Sequence, residues 1–87
     1  MALNFPNASC SYDATRRAVR FWGYESAMER SFFISADALM SIQPKTTFDE
    51  AGLLSAFDRN RERIYAAAVK VHARARKGSY DLVASDF

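Results

Sequence analysis

Cys10 and His72 are each the only residue of their kind in this 87-residue chain, and together they hold its most reactive chemistry. A thiolate beside an imidazole makes a nucleophile–base pair, provided that a third group orients the base. No third group is spaced to do so, and the pair would have to join the N-terminal arm to a distant helix. The plainer expectation is a semi-buried thiol and an imidazole on a helix flank. A tetrahedral zinc site takes about four ligands, mostly Cys and His, so one of each does not make one. Neither metal nor cofactor is expected. Asp13, Glu29 and Glu62 could each bring a carboxylate to a site, but nothing in their spacing brings two of them together, and acid–base chemistry needs convergent groups. Gly23, Gly52 and Gly78 are isolated, so there is no phosphate-cradling loop and no nucleophile elbow. These absences favour a protein that is not an enzyme.

Two surfaces remain. Arg20, Trp22 and Phe33 fall on one face of two alternating runs, an aromatic and basic combination that can stack bases. Packing under Leu3 and Phe5, or under a second subunit, is the more ordinary fate of a Trp beside a Phe. The other surface is a row of cations. At 100° per residue, Arg59, Arg63, Lys70, Arg74 and Lys77 lie within a strip of about 60° on one helix, with few acids between them. Such a row could meet a polyanion or simply be a solvated face.

Alternation places the first of these surfaces on a β-hairpin over residues 16–34, with Gly23 to Ser26 as its turn. Its more apolar side, Val19, Phe21, Met28, Phe32 and Ile34, should meet the core, with Arg17 and Arg30 at the margin. Before it, residues 1–15 read as an irregular arm anchored by Leu3 and Phe5. Ser35 can cap a short helix over 35–43, stopped by Pro44. Thr47-Phe-Asp-Glu50 matches a capping box, and Leu53, Phe57, Ile64, Ala68, Val71 and Ala75 then recur at helical spacing through 77. Lys77-Gly78 suits a helix end, and residues 79–84 alternate as a third strand. The expected architecture is α+β: a single-layer antiparallel or mixed sheet, hairpin plus C-terminal strand, packed against a short helix and a long, kinked or broken one.

Size argues for the break. A continuous helix from Phe48 to Lys77 would measure about 45 Å, whereas a single domain of this length is roughly 30 Å across. Asn60 falls on the buried side of the stripe, so a bend within Asp58–Arg61 is expected; otherwise the helix end projects and finds a partner.

The apolar share of 49% and charged share of 25% suit one globular domain over residues 1–87. Net charge is +2, with the positive excess in the C-terminal half. One cysteine permits no internal disulfide, and the first residues lack a signal-peptide pattern, so a cytoplasmic location is expected. No apolar run approaches the ~18–20 residues that span a bilayer.

Asn4-Phe-Pro6, Tyr12-Asp13, Val19-Arg-Phe21, Ile34-Ser-Ala-Asp-Ala-Leu39 and Phe57-Asp-Arg-Asn-Arg-Glu-Arg-Ile64 carry a resemblance to the bacterial domain-of-unknown-function family 1488, over nearly the whole chain. The resemblance implies a small, stand-alone, cytosolic α+β protein of bacteria, and it brings no activity or catalytic residue to transfer. Two functions from different classes stay open. One is a non-catalytic interaction module that binds another protein or itself. The other is a weak, sequence-indifferent nucleic-acid binder using the cation row.

Overall fold

Two short strands, β1 (Leu3–Asn4) and β2 (Cys10–Asp13), precede the hairpin of β3 (Ala18–Glu25) and β4 (Met28–Ser35). Three helices follow, α1 (Ala36–Ile42), α2 (Glu50–Arg59) and α3 (Arg61–Arg74), and then β5 (Ser79–Leu82) and a 3₁₀ turn at Ala84–Asp86. The structure, a computed structural model, describes residues 3–6, 9–74 and 79–87; Ala75, Lys77 and Gly78 lie outside them. The radius of gyration is 12.1 Å.

The sheet is mixed and open. β1 and β2 both pair antiparallel with one side of β3, β4 pairs antiparallel with its other side, and β5 runs parallel to β4. The N-terminal segment is therefore part of the sheet and not an irregular arm. Leu3 registers with Glu25 and Asn4 with Tyr24, whereas Cys10 registers with Phe21. Two short strands that pair separately with β3 offer no run of alternation long enough to reveal them.

The hairpin turn sits at Ser26-Ala27, with Ser26 at φ 57°, and not at Gly23. Gly23 lies inside β3, facing the core, where an added Cβ would stand 2.9 Å from the Phe5 ring and 3.2 Å from that of Phe32. The absent side chain is what lets Phe5 dock. Phe5 stacks on Tyr65 with centroids 4.1 Å apart, beside the contacts of Phe21 with Phe32 at 5.3 Å and with Phe57 at 5.0 Å. Such aromatic pairs add to the area they bury. Val19, Phe21, Phe32 and Ile34 are fully buried beneath Leu39, Leu53, Phe57, Ile64 and Ala68, the expected side of the hairpin against the expected helical stripe, but Met28, beside the turn, is exposed and does not join them. Val71 packs at the edge of this core.

Ser35 caps α1, its hydroxyl accepting from Ala38 N at 3.1 Å. The cap of α2 is Asp49 and not Thr47: Asp49 Oδ1 accepts from Gly52 N at 2.8 Å and from the Thr47 hydroxyl at 3.0 Å. The Gly52 amide, then the Thr47 hydroxyl, hold the Asp49 carboxyl below its ordinary 3.8. A carboxyl depressed in the folded state supports folding above its unfolded value and loses that support as pH falls through the folded one. The Gly52 amide resonance is thus expected to titrate with a midpoint below 3.8; a midpoint at or above that value would contradict this cap.

The long stripe is broken at Asn60, which terminates α2. Its amide donates to Ala56 O at 2.8 Å and to Gln43 Oε1 at 3.1 Å, so a polar residue on the buried side is satisfied by ending one helix and tying it to the α1 terminus. The two pieces, about 15 and 21 Å long at 1.5 Å per residue, fit a body of 36 × 23 × 23 Å. β5 stops at Leu82, two residues short of its expected end, because Asp86 Oδ2 accepts from Val83 N at 2.8 Å and turns the chain.

Candidate functional site

All three helices bury their apolar residues on one side of the sheet, leaving the other side free of helix among the described residues. Registers place Arg20 opposite Phe33, Trp22 opposite Ser31, Tyr24 opposite Glu29, and Asp81 beside Phe33 on this free face. Leu3 and Phe5 pack on the opposite side, so they do not cover it. Trp22 is half-buried near its centre, with the Arg20 guanidinium 5.2 Å from its ring. Phe33 is only 7% exposed because two guanidinium groups roof it, Arg16 at 4.3 Å and Arg20 at 5.6 Å. Arg20 Nη2 also donates to Ser31 Oγ at 3.0 Å. Phe33 therefore offers no ring face for stacking, and Trp22, with Tyr24 further along β3, supplies the aromatic surface this face presents.

Acids surround these cations. Arg16 lies 3.7 Å from Asp13 and 4.0 Å from Asp81. The Tyr24 hydroxyl donates to Glu29 at 2.9 Å, which holds the phenol above its ordinary 10.0. Arg16 and Arg20 against Asp13, Glu29 and Asp81 make a face of both signs with no excess of positive charge.

The cation row is divided. The break at Asn60 leaves Arg59 on α2 and Arg63, Lys70 and Arg74 on α3, so a single helical wheel does not relate them. Arg59 and Arg63 line one shallow hollow at the break, but Asp58 and Glu62 line it too. Arg74 meets Asp86 at 3.3 Å, and Lys77 lies outside the described residues. Arg63 and Lys70 are exposed.

Cys10 and His72 are not brought together. Cys10 registers with Phe21, while His72 approaches Glu25, four residues or about 13 Å further along β3. Burial pushes the Cys10 thiol above its ordinary 9.0, opposed by the charge of Arg61, which favours the unreactive thiol form. Asp13 and Glu29 stand at opposite ends of the hairpin, opposite Ala18 and Tyr24. Among the described residues no group of three His, Cys, Asp or Glu side chains could hold a metal ion.

A family model described as "Protein of unknown function (DUF1488)" matches residues 3–83. The chain belongs to this family. A crystal structure of a DUF1488 protein of unknown function from Shewanella loihica superposes with a TM-score of 0.81 at 18% identity, covering 92% of this chain and 90% of that one. No curated protein matches. In this DUF1488 chain the residues carrying the resemblance do structural work: Phe5, Val19, Phe21, Leu39, Phe57 and Ile64 are in or against the core, Ser35 caps α1 and Asn60 ends α2. No described helix is long and apolar enough to cross a membrane.

One polar cluster escaped the sequence reading. Glu25, 8% exposed, has Oε1 3.4 Å from His72 Nε2 and 3.6 Å from Arg30 Nη2, and the His72 ring packs 5.4 Å from that of Tyr80. Arg30 is therefore engaged by a buried carboxylate instead of holding its head in water at the margin, and His72 is largely enclosed. The available signal was Glu25 itself, which shares the core side of the hairpin with Arg30 by parity. Arg17 left the hairpin altogether: it sits in the preceding turn at φ 52°, over the Phe48 ring at 5.2 Å.

Proposed function

We propose that this chain is a non-catalytic interaction module of the bacterial cytosol that associates with a second copy of itself through the helix-free sheet face. The observation that carries the reading is the half-buried Trp22 at the centre of that face, within charges of both signs. A two-fold interface must be complementary to itself. Arg16 and Arg20 of one copy can meet Asp81, Asp13 and Glu29 of another, with the indoles near the axis. Eight residues of β3 span about 26 Å and four strands abreast about 19 Å. That footprint falls at the low end of specific interfaces, so the dimer is expected to be weak and concentration-dependent.

Sedimentation velocity over a concentration series, at low and high salt, tests this. The wild type should move toward dimer at both salts, because apolar association persists in salt whereas charge attraction is screened. Trp22→Ser, checked by thermal melting to be folded, should stay monomeric. A wild type that is monomeric at every concentration overturns the reading. A second reading, polyanion binding through Arg59, Arg63, Lys70 and Arg74, is supported by the exposure of Arg63 and Lys70. It requires oligonucleotide affinity on the order of 10⁻⁴–10⁻⁶ M that falls steeply with salt, and a shallower salt dependence when Arg63 and Lys70 are both replaced by Ala.

A further inference from the structure

Away from the sheet face, the connection between α1 and α2 folds back on α2 and encloses an open hollow of about 290 Å³. Its walls include Gln43, Lys45 and Thr46 from the connection and Gly52, Ser55 and Arg59 from one side of α2. No acidic residue lines it, although the Asp49 carboxylate lies just behind its wall, committed to the Gly52 amide and the Thr47 hydroxyl, and neither Lys45 nor Arg59 is in an ion pair among the described residues. Arg59 also borders the hollow at the α2–α3 break, where Asp58 and Glu62 stand among the arginines, whereas Lys45 belongs to this hollow alone among those described. Lys45 and Arg59 are both exposed, and two cations bordering a concave surface give a stronger local positive potential than the same charges on a flat one.

The remaining groups suit the same ligand. Thr46 Oγ1 is enclosed and has no hydrogen-bond partner among the described residues, which leaves its hydroxyl uncommitted. Gln43 Oε1 accepts from Asn60 Nδ2 at 3.1 Å, which commits its acceptor and leaves its amide N–H groups as donors. The Ser55 hydroxyl adds another. Gly52 keeps the hollow shaped: a Cβ there would collide with the Thr47 hydroxyl and carbonyl, so only glycine lets the connection lie this close to α2.

We propose that this hollow is an anion site for a phosphoryl group, with Lys45 and Arg59 supplying the charge and Thr46, Ser55 and Gln43 the neutral donors. Arg59 then acts with Lys45 across the hollow and not with the row on α3. The volume lies at the lower end of small-molecule pockets, which fits a phosphate or a phosphomonoester with a short substituent.

The test is titration of the ¹⁵N-labelled protein with inorganic phosphate, phosphoserine, sodium chloride at matched ionic strength, and a short single-stranded oligothymidylate. Saturable amide shifts at Lys45–Thr47 and Gly52–Arg59 are expected with phosphate and phosphoserine and not with chloride. A larger response to phosphoserine would identify a small phosphomonoester as the source; a larger one to the oligonucleotide, still centred on this hollow, would identify a nucleic-acid phosphate. Lys45→Ala with Arg59→Ala should weaken phosphoserine binding about tenfold or more, as loss of charge-assisted hydrogen bonds does, with melting temperature held. Arg63→Ala with Lys70→Ala should leave it unchanged. Shifts that do not saturate, that spread equally along α3, or that survive the Lys45/Arg59 double substitution overturn the proposal.

Discussion

Phe57→Ala is expected to destabilise the protein by about 3–5 kcal/mol, the range for truncating a fully enclosed aromatic in a core that cannot collapse around the gap. Phe57 is 0% exposed and sits where α2 meets the sheet, 5.0 Å from the Phe21 ring, with the Arg61 guanidinium 5.0 Å from its other side. A chain of this length has roughly 4–13 kcal/mol in total, so much of it would go with one side chain. Val69→Ala, at a residue 43% exposed on α3, should change stability by less than about 0.5 kcal/mol. Equilibrium urea unfolding of the two variants checks both, and equal effects would contradict the assignment of the buried side of the helices.

Removing Glu25 should have the next largest effect. Its carboxylate faces Arg30 and His72 at the enclosed end of the sheet, with side chains 10%, 22% and 11% exposed respectively. Glu25→Ala strands a half-buried guanidinium without its counter-charge, and breaking such a pair costs on the order of 3 kcal/mol. The pair itself need not be stabilising relative to an apolar substitute. Glu25→Leu combined with Arg30→Met should therefore recover most of the loss, and the coupling between the two substitutions, read from a double-mutant cycle, should be well above zero. Additive effects would mean that the two side chains do not interact.

How much of this was legible beforehand depended on whether the governing contacts were local. The alternation over residues 16–34 disclosed which side of the hairpin meets the helices, and Ser35 disclosed where α1 begins, because parity and capping are properties of neighbouring residues. The break at Asn60 was legible from a polar residue on an apolar stripe together with the diameter of the domain. β1 and β2 were not, since they are two short pieces whose pairing to β3 is decided at long range. Gly23 looked like a turn because glycine often is one; its role depends on Phe5 arriving from eighteen residues away. Thr47 matched a capping pattern, but Asp49 two residues later is the stronger acceptor and took the helix start. His72 lay on a helix flank by the wheel, and no wheel shows that Glu25 faces it.

The candidate surfaces fared in the same manner. Arg20, Trp22 and Phe33 do share one face, as parity requires, yet parity could not show that Arg16 and Arg20 roof Phe33 and withdraw it from that surface. The cation row assumed one continuous helix, and the break separated Arg59 from it.

Trp22 is the chain's single tryptophan, which makes the central claim directly measurable. In a concentrated sample mixing ¹³C,¹⁵N-labelled and unlabelled protein, isotope-filtered nuclear Overhauser spectra report only contacts between copies. Cross-peaks are expected from the Trp22 indole to Trp22, Arg20 and Ser31 side chains of another molecule, together with contacts around Asp81. Cross-peaks confined to α3, or none at concentrations where sedimentation shows dimer, would contradict that claim.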